Sequence, residues 1–276
     1  MEEFVRHTKD RDDNMSEKAR LIDQHDVFID AMGDKAIFAP VDLTRPGLLI
    51  LDSGTADGRW PLHIRSMSPV PHSYVGTDID QSLYPDPAPE GMQFRNQSIC
   101  EPFPSEWQGS FDLVHQRLVM AAAPPETVLS VVERLAGPLK PGGWLQLVEV
   151  DTDTVAENGP ELKRFLSYAQ QMSAVGGMGP NLAKELAATM RKAGLQNVAQ
   201  QSIDVMYGFR NKDEVLKQKS INSLCNAVPP LMQGVRMMLP DKYSHKEAMT
   251  FQTSLRNELE EFGGCTKLLV VWGQKV

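Results

Sequence analysis

Cysteine is scarce in this chain: Cys100, Cys225 and Cys265 are the only three in 276 residues. Their spacings match no zinc pattern, and an odd count without close pairs excludes a disulfide framework. A reducing compartment, cytoplasmic or nuclear, is therefore expected. Basic residues are also short. The net charge is −8 and no run of Lys or Arg occurs, which argues against a nucleic-acid backbone as partner. Long hydrophobic runs are missing as well. The longest, such as Leu268 to Trp272, fall far below a bilayer's thickness. No apolar core follows Met1–Arg6, so neither a secretory signal nor a membrane partner is expected. Internal repeats and low-complexity segments are absent.

What is there is ordinary for a globular protein: 41% apolar and 23% charged residues. The length suits one large domain with an embellishment. Residues 1–15 are crowded with charge and read as a flexible tail, leaving 16–276 as a single domain. Ser16 is a candidate N-cap for a helix over 16–33, with Leu21, Ile22, His25, Phe28, Ile29 and Met32 on one face and Gly33 as its stop. This helix belongs to an N-terminal cap over 16–45. Strands are expected at 48–52, 73–78, 92–99, 111–115, 144–150, 197–207 and 267–273. Helices are expected near 57–67, 124–138 and 181–194. The stretch 209–264 is too long for a loop. Val215, Leu216, Leu224, Met249, Leu255, Leu259 and Phe262 recur there at helical spacing, so it reads as a helical insertion or lid. Alternating strands and helices imply an α/β fold, a mostly parallel sheet covered on both faces.

Residues 48–80 are the most informative. Leu48-Leu49-Ile50-Leu51-Asp52 is a buried strand ending in a carboxylate. The turn Ser53-Gly54-Thr55-Ala56-Asp57-Gly58 follows, then a helix, then Tyr74-Val75-Gly76-Thr77-Asp78. Strand, glycine turn, helix, strand and acid form a nucleotide-cradling unit. The dinucleotide spacing of three glycines is not met, and Asp57 at the helix start would repel a pyrophosphate. The expected ligand is a nucleoside without phosphates and with positive charge; S-adenosylmethionine fits.

These segments resemble the class I S-adenosylmethionine-dependent methyltransferases. Ile50 to Trp60 is similar to their first motif, with Ala56 where the middle glycine is usual. Val75 to Asp80 is similar to the second. Phe111 to Arg117 and Leu139 to Trp144 are similar to the fourth-strand motif and the turn before strand five. More narrowly, Arg20-Leu21-Ile22-Asp23-Gln24-His25, the Phe-Asp-x-x-His-x-Arg pattern at 111–117 and the late helical insertion resemble the LaeA-like enzymes of fungal secondary metabolism. The resemblance implies a Rossmann-like seven-stranded sheet of order 3-2-1-4-5-7-6 with strand seven antiparallel.

It also implies S-adenosyl-L-methionine as cofactor and a set of binding residues. Asp52 would orient the ammonium, with Ser53, Gly54, Thr55 and Gly58 giving backbone access. Asp78 would hold the ribose and Ile79 the adenine face. Gln97, Ser98 or Ile99 would meet the adenine amino group. His115 and Gln116 would lie beneath the sulfonium. His115 and His25 are the candidate bases, each with a purely structural alternative. His7, His63, His72 and His245 lack such context and read as surface residues. Glu149, Asp151 and Asp153 alternate at the end of strand five, but the partner acid a metal site needs after strand four is missing, so no metal is expected. The implied function is methyl transfer to an O, N or S nucleophile of a small molecule. Two alternatives stay open: an enzyme using the cofactor as a fixed cation for rearrangement or cyclisation, and a regulatory LaeA-like protein without turnover. A homodimer is left open as the assembly.

Overall fold

A computed structural model describes residues 11–122, 127–153, 155–239 and 245–276. The first ten residues of the expected tail, the proline-rich start of the helix expected at 124, and the side chains of Met249 and His245 lie outside the described residues. So does His7.

Helix α1 spans Arg11–Ala31. It begins before Ser16, because no proline or glycine interrupts the chain from 11 onward. Part of the expected tail is therefore helical, and Ser16 is not the cap. Val27, Phe28 and Met32 are buried at its end, and Gly33 and Asp34, both at φ 64°, turn the chain out of it.

The strands follow: β1 (Leu49–Ser53), then α2 (Arg59–Met67), β2 (Ser73–Asp78), β3 (Met92–Asn96) and β4 (Phe111–Arg117). The chain continues through α3 (Val128–Ala136), β5 (Leu139–Asp151), α4 (Pro160–Val175), α5 (Leu182–Lys192) and β6 (Gln196–Tyr207). The expected lid resolves into α6 (Glu214–Cys225), α7 (Val228–Met238) and α8 (His245–Glu261), before β7 (Gly264–Gln274). Helix α4 was not anticipated. Its signal is Gly159-Pro160, a glycine cap followed by proline at the first helical position.

The sheet has seven strands in the order β3-β2-β1-β4-β5-β7-β6, and β7 runs antiparallel to both neighbours. This is the topology the resemblance implied. Alternate residues of each strand serve opposite faces. Leu51, Val114, Leu145 and Val271 pack against α3 and α5. Ile50 and Leu113 pack with Trp60 and Ile64 of α2. Val148, Leu268 and Val270 pack under the lid and α1.

Buried polar groups fasten the N-terminal cap and the lid to this core. The Gln146 side chain accepts from Phe38 N (2.6 Å) and Ala39 N (3.1 Å) and donates to Ala36 O. Asp26 of α1 pairs with Lys219 of α6. Glu258 of α8 accepts from Glu161 N and Leu162 N at 2.7 and 2.8 Å, capping α4. Gly159 makes room for it: a Cβ there would meet the Glu258 carboxyl carbon at 2.3 Å. Among the described residues no helix is long and apolar enough to cross a membrane.

Candidate active site

The C-terminal ends of β1 and β2 and the segment after β4 border a cavity of about 830 Å³. Open α/β sheets bind ligands at this switch point, and ligand pockets run to roughly 300–1,000 Å³. Gly54, Ala56, Asp78 and Ile79 form its floor. Leu118 and Val119, beyond β4, form one side. Helix α1 contributes Arg20, Leu21 and Gln24, and the lid contributes Asn226, Pro229 and Gln233.

The glycine turn is held by the second strand. Gly54 N and Thr55 N both donate to Thr77 O, at 2.7 and 2.8 Å. Gly54 adopts φ 74°, and a Cβ there would lie 2.2 Å from Val119 Cγ2. At Gly58, φ 72°, it would lie 2.9 Å from the Phe94 ring. Both glycines are thus demanded by protein packing as well as by conformation. Gly54 lines the cavity; Gly58 does not. Ala56 adopts φ 49°, and its N–H donates to Asp78 Oδ2 at 2.9 Å. Asp80 N donates to Asp78 Oδ1. Each oxygen keeps a second lone pair for a ligand hydroxyl. Burial holds the Asp78 carboxyl above the usual range despite these bonds. Ile79 is 40% exposed beside it, an apolar platform on the floor of the cleft. A diol acceptor next to an apolar platform fits an adenosine.

Other expected site residues lie elsewhere. Gln97 spends its amide on the carbonyls of Ser98, Glu101 and Pro102. Ser98 Oγ accepts from Cys100 N, and Ile99 is in the core. None of the three lines the cavity. Asp52, Ser53, Thr55, His115 and Gln116 are buried beneath it. His115 Nδ1 donates to Asp52 Oδ1 at 2.7 Å, and the imidazole stacks on Trp60 with centroids 3.7 Å apart. Burial lowers the His115 pKa despite the carboxylate. Among the described residues its Nε2 has no partner. Ser53 Oγ donates to Gln116 Oε1.

His25 is buried too. Its Nδ1 accepts from Arg117 Nη2 at 3.2 Å. Burial, and then the Arg117 charge, pushes its pKa down to about 2. It does not line the cavity, and an imidazole so weakly basic is a poor acceptor of protons. Two histidines read as surface residues are not. His72 is buried and its Nε2 bonds Leu43 O at 3.1 Å. His63 stacks edge-on to His25. Both are recruited by long-range packing that no local pattern shows.

The acids after β5 diverge. Glu149 is buried, accepts from Met120 N, and is pushed up to about 7 by burial. Asp151 accepts from Asn181 and Asp153 pairs with Lys184. Among the described residues no cluster suits a metal ion.

The cavity residues that sequence reasoning did not name as site residues include Glu17 and Arg20 on α1, Asp80 and Leu83 after β2, Leu118 and Val119, and the individual lid residues. The unusual left-handed backbone of Leu118, φ 57°, swings this segment toward Gly54, and nothing in its composition announces that.

Comparison with known proteins agrees with this architecture. A family model described as "Methyltransferase domain" matches residues 25–200. The chain is 34% identical to the methyltransferase psoC of Aspergillus fumigatus, over 100% of both chains. It is 36% identical to the N-methyltransferase sirN of Leptosphaeria maculans, covering 94% of this chain and 92% of that one. It is 33% identical to the N-methyltransferase gliN of Aspergillus fumigatus, over 94% and 93%. Among solved structures, the Bacillus subtilis YcgJ protein superposes with a TM-score of 0.50 at 18% identity, over 91% of this chain and 98% of that one. A Haemonchus contortus phosphoethanolamine N-methyltransferase, solved with S-adenosylhomocysteine, gives 0.51 at 14% identity, over 87% and 51%. The chain therefore belongs to the methyltransferase-domain family, as an enzyme built on the class I S-adenosylmethionine-dependent fold.

Proposed function

We propose that this protein transfers a methyl group from S-adenosylmethionine to a nitrogen of a small secondary metabolite. The observation that carries the donor is the cleft floor: the Asp78 carboxylate, the exposed Ile79 and the glycine turn converge on one cavity. The acceptor atom is inferred from the names of two full-length relatives, both N-methyltransferases. Bound there, S-adenosylmethionine supplies an electrophilic methyl carbon. The chain's own residues then have three tasks. Asp78 fixes the ribose, the α1 and lid walls exclude water, and the acceptor nitrogen is aligned behind the methyl. Asp52 and Gly54, with Ser53, Thr55 and Gly58, shape the turn under the tail, and the His115–Asp52–Trp60 stack keeps that turn rigid. His115 and His25 act here as structural supports. Among the described residues no histidine lines the cavity; a neutral amine needs no general base to attack the sulfonium methyl, and the ammonium formed loses its proton to bulk solvent once the product leaves.

The narrower LaeA-like kinship rests on residues 20–25 and 111–117. Three free thiols, two of them buried, fit a reducing, cytoplasmic setting. The test is incubation with labelled S-adenosylmethionine and candidate metabolites, followed by locating the methyl in the product. N-methylation supports the reading. A methyl found on oxygen or sulfur removes the acceptor assignment, and turnover without methyl transfer removes the reaction.

A further inference from the structure

Among the described residues five charged side chains line the cavity: Glu17, Arg20, Asp78, Asp80 and Arg117. Three of them are already committed. Asp78 holds the glycine turn through Ala56 N. Asp80 caps the turn after β2, accepting from Ser82 N and Oγ. Arg117 donates to His25, and its charge is answered by Asp52 and Asp57. Glu17 and Arg20 differ. They sit one turn apart on α1, both on the cavity wall, and among the described residues they answer only each other.

The geometry of that pair leaves binding capacity over. Arg20 donates through Nε (2.8 Å) and Nη2 (2.7 Å) to the two oxygens of Glu17. A guanidinium carries five N–H donors in a rigid fork. Glu17 takes the Nε edge, so among the described residues both Nη1 donors and one Nη2 donor remain, one from each nitrogen lying along the far edge. That edge is itself a bidentate carboxylate site. Glu17 also holds the fork in one orientation, so little rotamer entropy remains to be lost on binding. The Arg20 side chain is only 12% exposed, so a bond made there is poorly screened by solvent. The pair as a whole is an ion pair presented sideways to a ligand. Its complement is a group with a carboxylate and an ammonium on one carbon.

We propose that Arg20 and Glu17 form the site for the amino-acid tail of the methyl donor, Arg20 receiving the carboxylate and Glu17 the ammonium. This rests on the reading of the cavity as an S-adenosylmethionine cleft. It divides the work inside the cavity: the sheet end holds the nucleoside and the N-terminal helix reads the tail. It also explains why a helix outside the sheet belongs to the working enzyme.

The test is calorimetric and needs no turnover. Three probes are titrated into the full chain. S-adenosylhomocysteine carries the whole tail, its decarboxylated amine analogue lacks only the carboxylate, and 5′-methylthioadenosine lacks both charges. The wild type should bind S-adenosylhomocysteine more tightly than the amine analogue. Arg20→Gln should weaken S-adenosylhomocysteine by about ten- to a hundredfold and leave the other two probes unchanged. Unchanged binding of 5′-methylthioadenosine also shows that the variant is folded with its cleft intact. Glu17→Gln should weaken both amine-bearing probes and spare 5′-methylthioadenosine. Equal loss of all three probes in Arg20→Gln, or equal wild-type affinity for all three, overturns the assignment while leaving the cofactor reading in place. A wild type that binds none of them overturns both.

Discussion

Ala56 carries the clearest local cost in the site. A side chain at φ 49° pays about 1–2 kcal/mol for the left-handed region, and glycine would pay nothing there. The left-handed conformation brings the Ala56 backbone N–H to Asp78, a bond glycine would make equally well. Ala56→Gly should therefore raise the unfolding free energy by about 1 kcal/mol, read by denaturant melts, against the usual direction for added glycine. A loss of stability would mean that the methyl makes a contact worth more than the strain. The same residue shows what sequence can and cannot reveal. Its departure from the glycine pattern was visible, but its conformation was not. Likewise Asp52 was legible as a strand-end acid, whereas its partner His115 lies 63 residues away and meets it only because β1 and β4 are neighbours in the sheet.

Most elements were legible from their apolar pattern, whereas α4 went unread although Gly159-Pro160 marks its start. All seven strands could be placed: β1, β2, β4, β5 and β7 carry buried apolar stretches, while β3 and β6 are mostly exposed and show only scattered or alternating apolar residues. Ends were less legible: β5 begins at Leu139, five residues before the expected start, because Leu139 already pairs with Phe111 and the Lys140–Gly143 turn is an irregularity within the strand. Attachment between elements was not legible at all. Gln146 looked like one polar residue in a strand, yet it is fully buried and fastens residues 36–39 of the N-terminal cap. Gln146→Leu should leave two buried N–H groups unpaired and cost about 3 kcal/mol or more. The check is a denaturant melt together with hydrogen exchange at Phe38 and Ala39. Protection there equal to the wild type's would show that the cap is held by other contacts.

The whole molecule carries opposed proton linkages. His25 falls from 6.5 to about 2 on folding, so the unfolded chain binds more protons below pH 6.5. That contribution to stability is complete above 6.5 and is lost as the pH falls, and His115 acts in the same direction. Glu149 rises from 4.5 to about 7, so its folded form holds the extra proton. Its contribution is complete below 4.5 and is lost as the pH climbs to 7. Each linked proton is worth up to about 1.4 kcal/mol per pH unit. Glu149→Gln should therefore gain on the wild type as the pH rises from 5 to 7, and His25→Gln should flatten the acid side. Melting temperatures across that range test both. Parallel curves for Glu149→Gln and wild type would show that the carboxyl titrates alike in the two states.

One interlock limits how such an enzyme can be re-engineered. The carboxylate of Glu258 enters the space left by hydrogen at position 159, so the two positions work as key and keyhole on separate stretches of chain. A chimera that borrows the 209–264 segment from another protein to change acceptor range inherits a new key. Unless residue 159 travels with it, the graft either leaves two amides at the head of α4 stranded or forces atoms into the same volume.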